Sequence, residues 1–146
     1  MSAYKIPVSV LVVVHSADAR VLLLERADAA GYWQSVTGSV NPGETLVETA
    51  IREVREETGL DATAYELKSW GIENRYEIYA RWRHRYAPGV THNTESVFGL
   101  KLPAPMPVTL SPDEHVACAW LPWEEAAARC FSPSNAAAIR QLPARL

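Results

Sequence analysis

Two apolar runs without helical spacing occur near the start of the chain. Residues 8–15 are nearly continuous and rich in valine, which is typical of a strand buried on both faces of a sheet. After a short turn, residues 21–25 resume the apolar pattern, so the sequence predicts a β-hairpin. A short extended stretch follows at 37–40, and the Asn-Pro-Gly at 41–43 predicts a tight turn.

A helical pattern begins at Thr45. The apolar side chains that follow share an arc of about 100° on a helical wheel, as in a helix packed on a sheet. They are Val47, Ala50, Ile51 and Val54. Thr45 and Glu48 have the spacing of a capping box, and Gly59 is a suitable residue to end the helix. The sequence therefore predicts one amphipathic helix between the tight turn and Gly59.

The rest of the chain alternates between extended and short helical patterns. Further strands are predicted at 61–73, 75–86, 94–102 and 117–123. Two terminal helices are predicted at 123–131 and 134–146, with Ser134 or Asn135 as the candidate cap of the second. Strands mixed with about three helices indicate a single layered α/β or α+β domain over residues 1–146.

Composition narrows the class of protein. A chain of 146 residues with 48% hydrophobic residues can bury a sizeable core, and its net charge of −3 excludes a global polycation for nucleic acid or a membrane surface. The N-terminal apolar run is too short to span a bilayer and lacks a signal-peptide pattern. Cys118 and Cys130 match no zinc or redox motif, so we expect two reduced thiols in a soluble, cytoplasmic protein. The sequence pattern indicates no particular oligomeric state.

Three carboxylates crowd the end of the predicted helix. Glu53, Glu56 and Glu57 lie where the helix dipole is already negative, and Glu53 repels Glu57 across one turn. A solvated helix face is one interpretation, with Arg52 and Arg55 offsetting part of the repulsion. The alternative is a hard divalent cation, because Mg²⁺ takes oxygen ligands and keeps waters that leave room for phosphates. We favour the metal.

The segment from Gly38 to Leu60 fits one pattern at every fixed position. It reads as GX5EX7REUXEEXGU, with U an aliphatic residue, and so resembles the Nudix box. The resemblance implies an α/β/α sandwich around a mixed sheet. It also implies hydrolysis of a diphosphate linkage in nucleoside diphosphates joined to another group, with a required divalent metal ion. The expected ion is Mg²⁺, with Mn²⁺ as a substitute.

The same resemblance assigns roles by position. It implies carboxylate ligands for the metal and one backbone carbonyl ligand, namely Glu53, Glu56, Glu57 and Gly38. Arg52 would orient the glutamates by ion pairing, and Glu44 would brace the turn between loop and helix. How many metal ions bind is left open.

The flanking tracts resemble one branch of this family, from about Lys5 to about Ile139 and least over 61–72. Members of that branch hydrolyse dihydroneopterin triphosphate in bacterial folate synthesis. The implied reaction is attack by water that cleaves between the α and β phosphates, giving dihydroneopterin monophosphate and pyrophosphate. Two alternatives are a (d)NTP pyrophosphohydrolase, acting for example on dATP, and a non-catalytic Nudix-like nucleotide sensor. A sensor of this kind would be expected to lack one or more of the box glutamates. A purely structural role would require the match to the Nudix box to be accidental.

The triphosphate needs cations, and the pterin needs stacking and hydrogen bonds. Lys5 and Arg26 are the favoured phosphate contacts. Arg83 and Arg85 are also candidates, but for these two an exposed surface cation is an equally good interpretation. By resemblance, the head-group candidates are Thr37, Tyr76, Glu77, Ile78, Tyr79, Ser132 and Asn135. Trp33 is either an aromatic wall or, more simply, a core residue.

Glu114 lies outside the box, in a loop before a predicted strand. The resemblance makes it another metal ligand or a base, and we expect it to approach Glu53 and Glu57. The general base is therefore either Glu57 or Glu114. His115 is a weaker candidate, because a lone histidine is more often structural.

Overall fold

Seven strands form one mixed sheet in the computed structural model, which describes residues 4–146. The first three residues of the N-terminal segment discussed above lie outside the described residues. The strands are β1 (Val8–Ser16), β2 (Arg20–Arg26), β3 (Trp33–Gln34), β4 (Val36–Ser39), β5 (Glu66–Glu77), β6 (His92–Leu102) and β7 (His115–Pro122). The helices are α1 (Leu46–Thr58), α2 (Trp123–Arg129) and α3 (Pro133–Arg140).

Helices cover both faces of the sheet. Because side chains alternate along a strand, β1 supplies a core on each face, which explains its continuous apolar run. The core beneath α1 includes Val10, Val12, Val14, Ala50 and Val54. The core beneath α2 and α3 includes Leu11, Val13, Ala126, Ala138 and Ile139. β1 is parallel to β6, and the other strand pairs are antiparallel. This arrangement confirms the predicted α/β/α sandwich.

The hairpin at the start of the chain opens soon after its turn. β1 and β2 are in register only at His15 and Val21. Beyond that point β1 pairs with β4, whereas β2 pairs with β3 and β7. The divergence of β1 from β2 leaves a cleft between the two halves of the sheet.

The ends of α1 are as predicted, and those of α3 are not. Thr45 and Glu48 form a reciprocal capping box, and Gly59 ends α1 with a left-handed φ of 76°. For α3 the predicted caps were wrong, because the Ser132 hydroxyl accepts from the Asn135 backbone N–H. The Asn135 side chain is used elsewhere.

The two strands predicted at 61–73 and 75–86 are a single strand, β5, which covers only Glu66–Glu77. β5 is one strand with a bulge between Ser69 and Ile72, where Gly71 adopts a φ of 70°. Ala62–Ala64 and Ala80–Arg85 are short 3₁₀ helices on either side of it. Strand pairing with β6 ends at Glu77, and the segment after it turns to form the aromatic cluster described below.

Two global features of the described residues bear on the sequence expectations. No helix within residues 4–146 is long and apolar enough to cross a membrane. Cys118 and Cys130 are both free thiols, as the absence of a redox or zinc motif predicted.

Candidate active site

A cavity of about 670 Å³ opens where β1 and β2 diverge. Two regions of this cavity differ in the chemistry of their lining residues. The acidic region comprises Gly38, Glu57 and Glu114, together with Glu53 packed behind Gly38. The head region comprises Tyr79, Asn93, Glu95, Phe131 and Ser134.

Glu53 and Glu57 project from one flank of α1 into the acidic region and are both buried. Burial raises the pKa of each carboxyl, and the charge of Glu114 raises both further. The charge of Glu56 also raises the pKa of Glu53, and the charge and hydrogen bond of Glu53 raise the pKa of Glu57. Among the described residues, Glu57 Oε1 has no hydrogen-bond partner, and the His115 Nε2 atom lies 3.9 Å away. Buried carboxylates without partners are unfavourable, so this donor set fits a divalent cation.

Gly38 is required by close approach rather than by its backbone angle. A Cβ atom at this position would lie 1.4 Å from Glu53 Oε2. The carboxylate of Glu53 therefore rests directly against the backbone of β4, where Gly38 pairs with Val10. The role of the Gly38 carbonyl as a metal ligand stays a prediction.

Arg52 ties the loop before α1 to the helix. Its Nε donates to Glu44 at 2.8 Å, and its Nη2 donates to the carbonyl of Ser39 at 2.9 Å. Hydrogen bonds from Arg52 hold the pKa of Glu44 down to about 2. Glu44 in turn accepts from the backbone of Asn41, which matches the predicted bracing of the turn.

The structure does not bring all three box glutamates to one point. Glu56 is exposed, and its carboxylate accepts from Arg52 Nη1 at 3.1 Å. Across residues 4–146, no three His, Cys, Asp or Glu side chains converge as a closed metal cage. Because Mg²⁺ keeps several waters, Glu53 and Glu57 are a sufficient core for an open site. A ligand role for Glu56 stays a prediction.

Glu114 lies in the loop before β7 and is exposed at the cavity wall. Its charge raises the pKa of both Glu53 and Glu57, so it approaches the pair as expected. His115 beside it is buried, and its Nε2 lies 3.1 Å from Gln34 Nε2. Burial lowers the pKa of His115 to about 4, so the imidazole is neutral near pH 7.

Three of the four candidate cations border the cavity: Lys5, Arg26 and Arg85. Asp28 holds two of them, with 2.7 Å from Arg26 Nε and 3.1 Å from Arg85 Nη2. Arg83 instead donates to Glu77 at 2.8 Å and to the carbonyl of Ile78. Arg83 is therefore not placed to contact a substrate in the cavity.

An aromatic cluster borders the head region. The rings of Tyr79 and Trp82 stack with centroids 5.4 Å apart and planes 8° apart, and Phe131 meets both edge-on. Arg26 lies over Trp82 at 4.2 Å, which joins the cations to the cluster. Trp33 packs against the core beneath α2 and α3, so the core interpretation is correct for this residue.

The predicted head-group residues all border the cavity, but several already have protein partners. The set is Thr37, Tyr76, Glu77, Ile78, Tyr79, Ser132 and Asn135. The Thr37 hydroxyl donates to the carbonyl of Val10 at 2.9 Å. Asn135 is buried and is bonded through both side-chain atoms to Ser35, so its side chain joins α3 to the loop between β3 and β4. Their substrate contacts stay predictions.

Five residues of the head region and its aromatic border were missed from the sequence: Trp82, Asn93, Glu95, Phe131 and Ser134. Asn93 and Glu95 alternate in phase with the buried Val97 on β6. A polar residue in the buried phase of an apolar strand is a signal that the sequence does contain. Trp82 had no such signal, because its segment was predicted to be extended.

Comparisons with known proteins identify the family. A family profile described as the NUDIX domain matches residues 5–142. The chain is 48% identical over 141 residues to dihydroneopterin triphosphate diphosphatase of Escherichia coli K12, covering 94% of this chain and 93% of that one. It is 37% identical over 144 residues to the Haemophilus influenzae protein of the same name, covering 97% and 90%.

A solved structure shows the same likeness. The E. coli dihydroneopterin triphosphate pyrophosphohydrolase superposes with a TM-score of 0.92 at 46% identity, covering 99% of both chains. Nudix hydrolases generally need a divalent metal ion, which fits the buried carboxylates of the acidic region and the Glu57 Oε1 atom that has no partner among the described residues. On its box, its fold and these relatives, the chain belongs to the Nudix hydrolase family.

Proposed function

We propose that this protein is a Mg²⁺-dependent pyrophosphohydrolase that converts dihydroneopterin triphosphate into dihydroneopterin monophosphate and pyrophosphate. The observation that carries the proposal is a single cavity. It is bordered by buried carboxylates, by cationic groups and by aromatic rings, and each kind of group suits one part of that substrate. Similarity to the E. coli enzyme of that name supports the choice of substrate. The reaction would serve folate synthesis in the cytoplasm.

Glu53, Glu57, Glu114 and the Gly38 carbonyl would hold the metal, with Glu56 at its edge. When bound, a divalent ion would supply charge neutralisation at the phosphoryl oxygens and a more acidic water. Arg52 keeps the helix and the preceding loop in fixed relation through Glu44 and Ser39. The protein's main contribution is therefore rigid positioning of groups before the substrate arrives.

Lys5, Arg26 and Arg85 would neutralise the phosphate chain. Arginine suits phosphate because its guanidinium can donate two parallel hydrogen bonds. Both arginines are already held by Asp28, which fixes them beside the cavity but partly satisfies their charge. A phosphate oxygen would bind to their remaining N–H groups.

The bond that breaks joins the attacked phosphorus, α or β, to the oxygen bridging the α and β phosphates. Water attacks phosphorus, its proton passes to a carboxylate, and the products are the monophosphate and pyrophosphate. Glu57 and Glu114 are the two candidate bases. Glu57 has a raised pKa and an unpartnered oxygen, whereas Glu114 is exposed at the cavity wall.

The test is an assay of the purified protein with Mg²⁺, comparing dihydroneopterin triphosphate with a panel of nucleoside and deoxynucleoside triphosphates. We expect pyrophosphate release with the highest kcat/KM on the pterin, and none in EDTA. A nucleotide such as dATP with a clearly higher kcat/KM would replace the pterin assignment. Ligand binding without magnesium-dependent turnover would instead support the sensor interpretation.

A further inference from the structure

One buried carboxylate in the cavity has no place in the phosphate chemistry. Glu95 lies on β6 in the head region and is only 4% exposed. Within residues 4–146 no lysine, arginine or histidine forms an ion pair with it. Burial raises its pKa, and hydrogen bonds from Ser134 and Asn74 offset this only in part. A buried, unpaired carboxylate is unfavourable for folding, so a functional reason should exist.

Glu95 is electrostatically separate from the metal-binding carboxylates. None of Glu53, Glu57 and Glu114 contributes to the shift of its pKa, whereas the charge of Glu114 raises the pKa of both Glu53 and Glu57. A carboxylate would also repel a phosphate chain placed beside it. Glu95 therefore faces a part of the ligand that is neither metal nor phosphate.

The two carboxylate oxygens of Glu95 have different surroundings. Oε1 accepts from the Ser134 hydroxyl at 3.1 Å and from Asn74 Nδ2 at 3.5 Å. Oε2 accepts no hydrogen bond from any other residue in 4–146. The side chain is thus oriented through one oxygen while the other is left for a donor in the cavity.

A second free acceptor lies beside Glu95. Asn93 is two residues earlier on β6, on the same face, and is 1% exposed. Its Nδ2 donates to Ser9 at 2.7 Å and to Tyr76 at 3.0 Å. Its buried Oδ1 has no partner among the described residues. Successive same-face positions on a strand are separated by about 6.6 Å, so the two acceptors lie side by side.

A ligand edge rich in N–H donors would match these acceptors. The 2-amino-4-oxo pyrimidine ring of dihydroneopterin presents a ring N–H next to an exocyclic amino group. These two parallel donors suit a carboxylate, as a guanidinium does. Guanine has the same edge. Adenine and cytosine present a ring nitrogen lone pair beside their amino group, and this lone pair would face a carboxylate oxygen unfavourably.

We propose that Glu95 selects the head group, by accepting hydrogen bonds from the ring N–H and amino group of a 2-amino-4-oxo pyrimidine ring. Asn93 supplies a neighbouring acceptor, and the rings of Tyr79 and Phe131 border the same space. The inference rests on the proposed function for the pterin, but the same contact applies to guanine nucleotides. It adds a specificity-determining residue outside the Nudix box.

The test compares wild type, Glu95→Gln and Glu66→Gln on dihydroneopterin triphosphate, GTP and ATP. Glu66 is an exposed carboxylate on β5 that lies outside the cavity, so its variant controls for loss of one charge. Losing a charged hydrogen bond should lower kcat/KM about 10- to 100-fold on the pterin and on GTP, mainly through KM. Turnover of ATP by Glu95→Gln should not fall and should rise, because the amide removes the repulsion of the adenine ring nitrogen and offers it an N–H donor.

Binding of dihydroneopterin, which carries no phosphate, gives a readout independent of catalysis. Calorimetry in EDTA should show binding to wild type and to Glu66→Gln, and a loss of about tenfold or more in Glu95→Gln. Equal binding by all three proteins, or equal loss of pterin and ATP turnover in Glu95→Gln, would overturn the proposal. If Glu95→Gln fails to fold, Ser134→Ala removes the donor that orients Oε1, and a pterin- and guanine-selective rise in KM is then required.

The two proposals can fail separately. If wild type prefers GTP to the pterin and Glu95→Gln loses activity on both but not on ATP, the assigned substrate is wrong and the role of Glu95 stands. If wild type prefers ATP or CTP to both, the role of Glu95 is wrong as well. If folded Glu95→Gln keeps the wild-type preference for the pterin over ATP, only the role of Glu95 is overturned.

Discussion

Glu57 and Glu95 border the same cavity as buried carboxylates with raised pKa values, yet their surroundings are opposite. Glu57 lies among other carboxylates, with one oxygen lacking any partner within the described residues. Glu95 lies apart from those charges and is oriented by neutral donors. The first arrangement requires a cation, and the second requires N–H donors. Reactivity and substrate choice are therefore assigned to different carboxylates in one cavity.

The largest effect should come from Glu57→Gln. Loss of this charge removes a central metal-binding group, so kcat should fall about 10²–10³-fold on every substrate, as when one electrostatic stabiliser is lost. The measurement is pyrophosphate release across the substrate panel at saturating Mg²⁺. Glu57→Gln should therefore lose activity on every substrate, mainly through kcat, whereas Glu95→Gln should lose activity selectively, mainly through KM.

Glu56→Gln is the matched comparison on the same helix. Glu56 is exposed and bonded to Arg52, so its neutralisation should reduce kcat less than that of Glu57. Equal losses in the two variants would show that Glu56 joins the metal site on binding. A substrate-selective loss in Glu57→Gln would break the division between the two kinds of carboxylate.

Most of the acidic region was predictable because, apart from Glu114, it lies in one continuous segment. A helix fixes the relative positions of Glu53 and Glu57, and local signals such as the Thr45 capping box mark where that helix begins. The close approach of Gly38 to Glu53 joins β4 to α1, but the spacing of the box already contains it. Local sequence was enough for this half of the site.

The head region was poorly predictable because it is assembled from distant segments. Asn135 bonds to Ser35 across 100 residues, and Ser134 reaches Glu95 across 39. Such contacts depend on the order of strands and on the packing of α3, neither of which the sequence pattern specifies. Trp82 was missed because its segment leaves the sheet after Glu77. In this region Tyr79 was predicted by resemblance, and the inward phase of Asn93 and Glu95 on β6 is a signal that the sequence contains.

Glu114→Gln should have an intermediate effect. Glu114 acts on Glu53 and Glu57 through its charge but is exposed, so we expect kcat to fall about 10- to 100-fold, the lower part of the range for general acid–base groups and outer metal contacts. Magnesium titrations would separate the two roles. A raised magnesium requirement indicates a ligand, and a changed pH profile of kcat at saturating Mg²⁺ indicates the base. Unchanged turnover would remove Glu114 from the site.

The smallest effect concerns stability without metal. Because the folded-state pKa of Glu53 is raised from 4.5 to about 7, the folded state binds more protons than the unfolded state between those pH values. The free energy of unfolding in EDTA should therefore fall as pH rises through that window, by up to about 1.4 kcal/mol per pH unit for each proton. Saturating Mg²⁺ should flatten the fall, because the ion favours the ionised carboxylates.

Urea denaturation at several pH values, in EDTA and in Mg²⁺, measures this difference. Glu57→Gln should reduce the slope in EDTA and abolish most of the stabilisation by Mg²⁺, because the repulsion between Glu53 and Glu57 is gone. Glu95→Gln should leave the stabilisation by Mg²⁺ intact, since Glu95 is electrostatically separate from Glu53 and Glu57. If Glu95→Gln also lost the stabilisation by Mg²⁺, Glu95 would belong to the metal site. The division between metal-binding and head-group carboxylates would then be wrong.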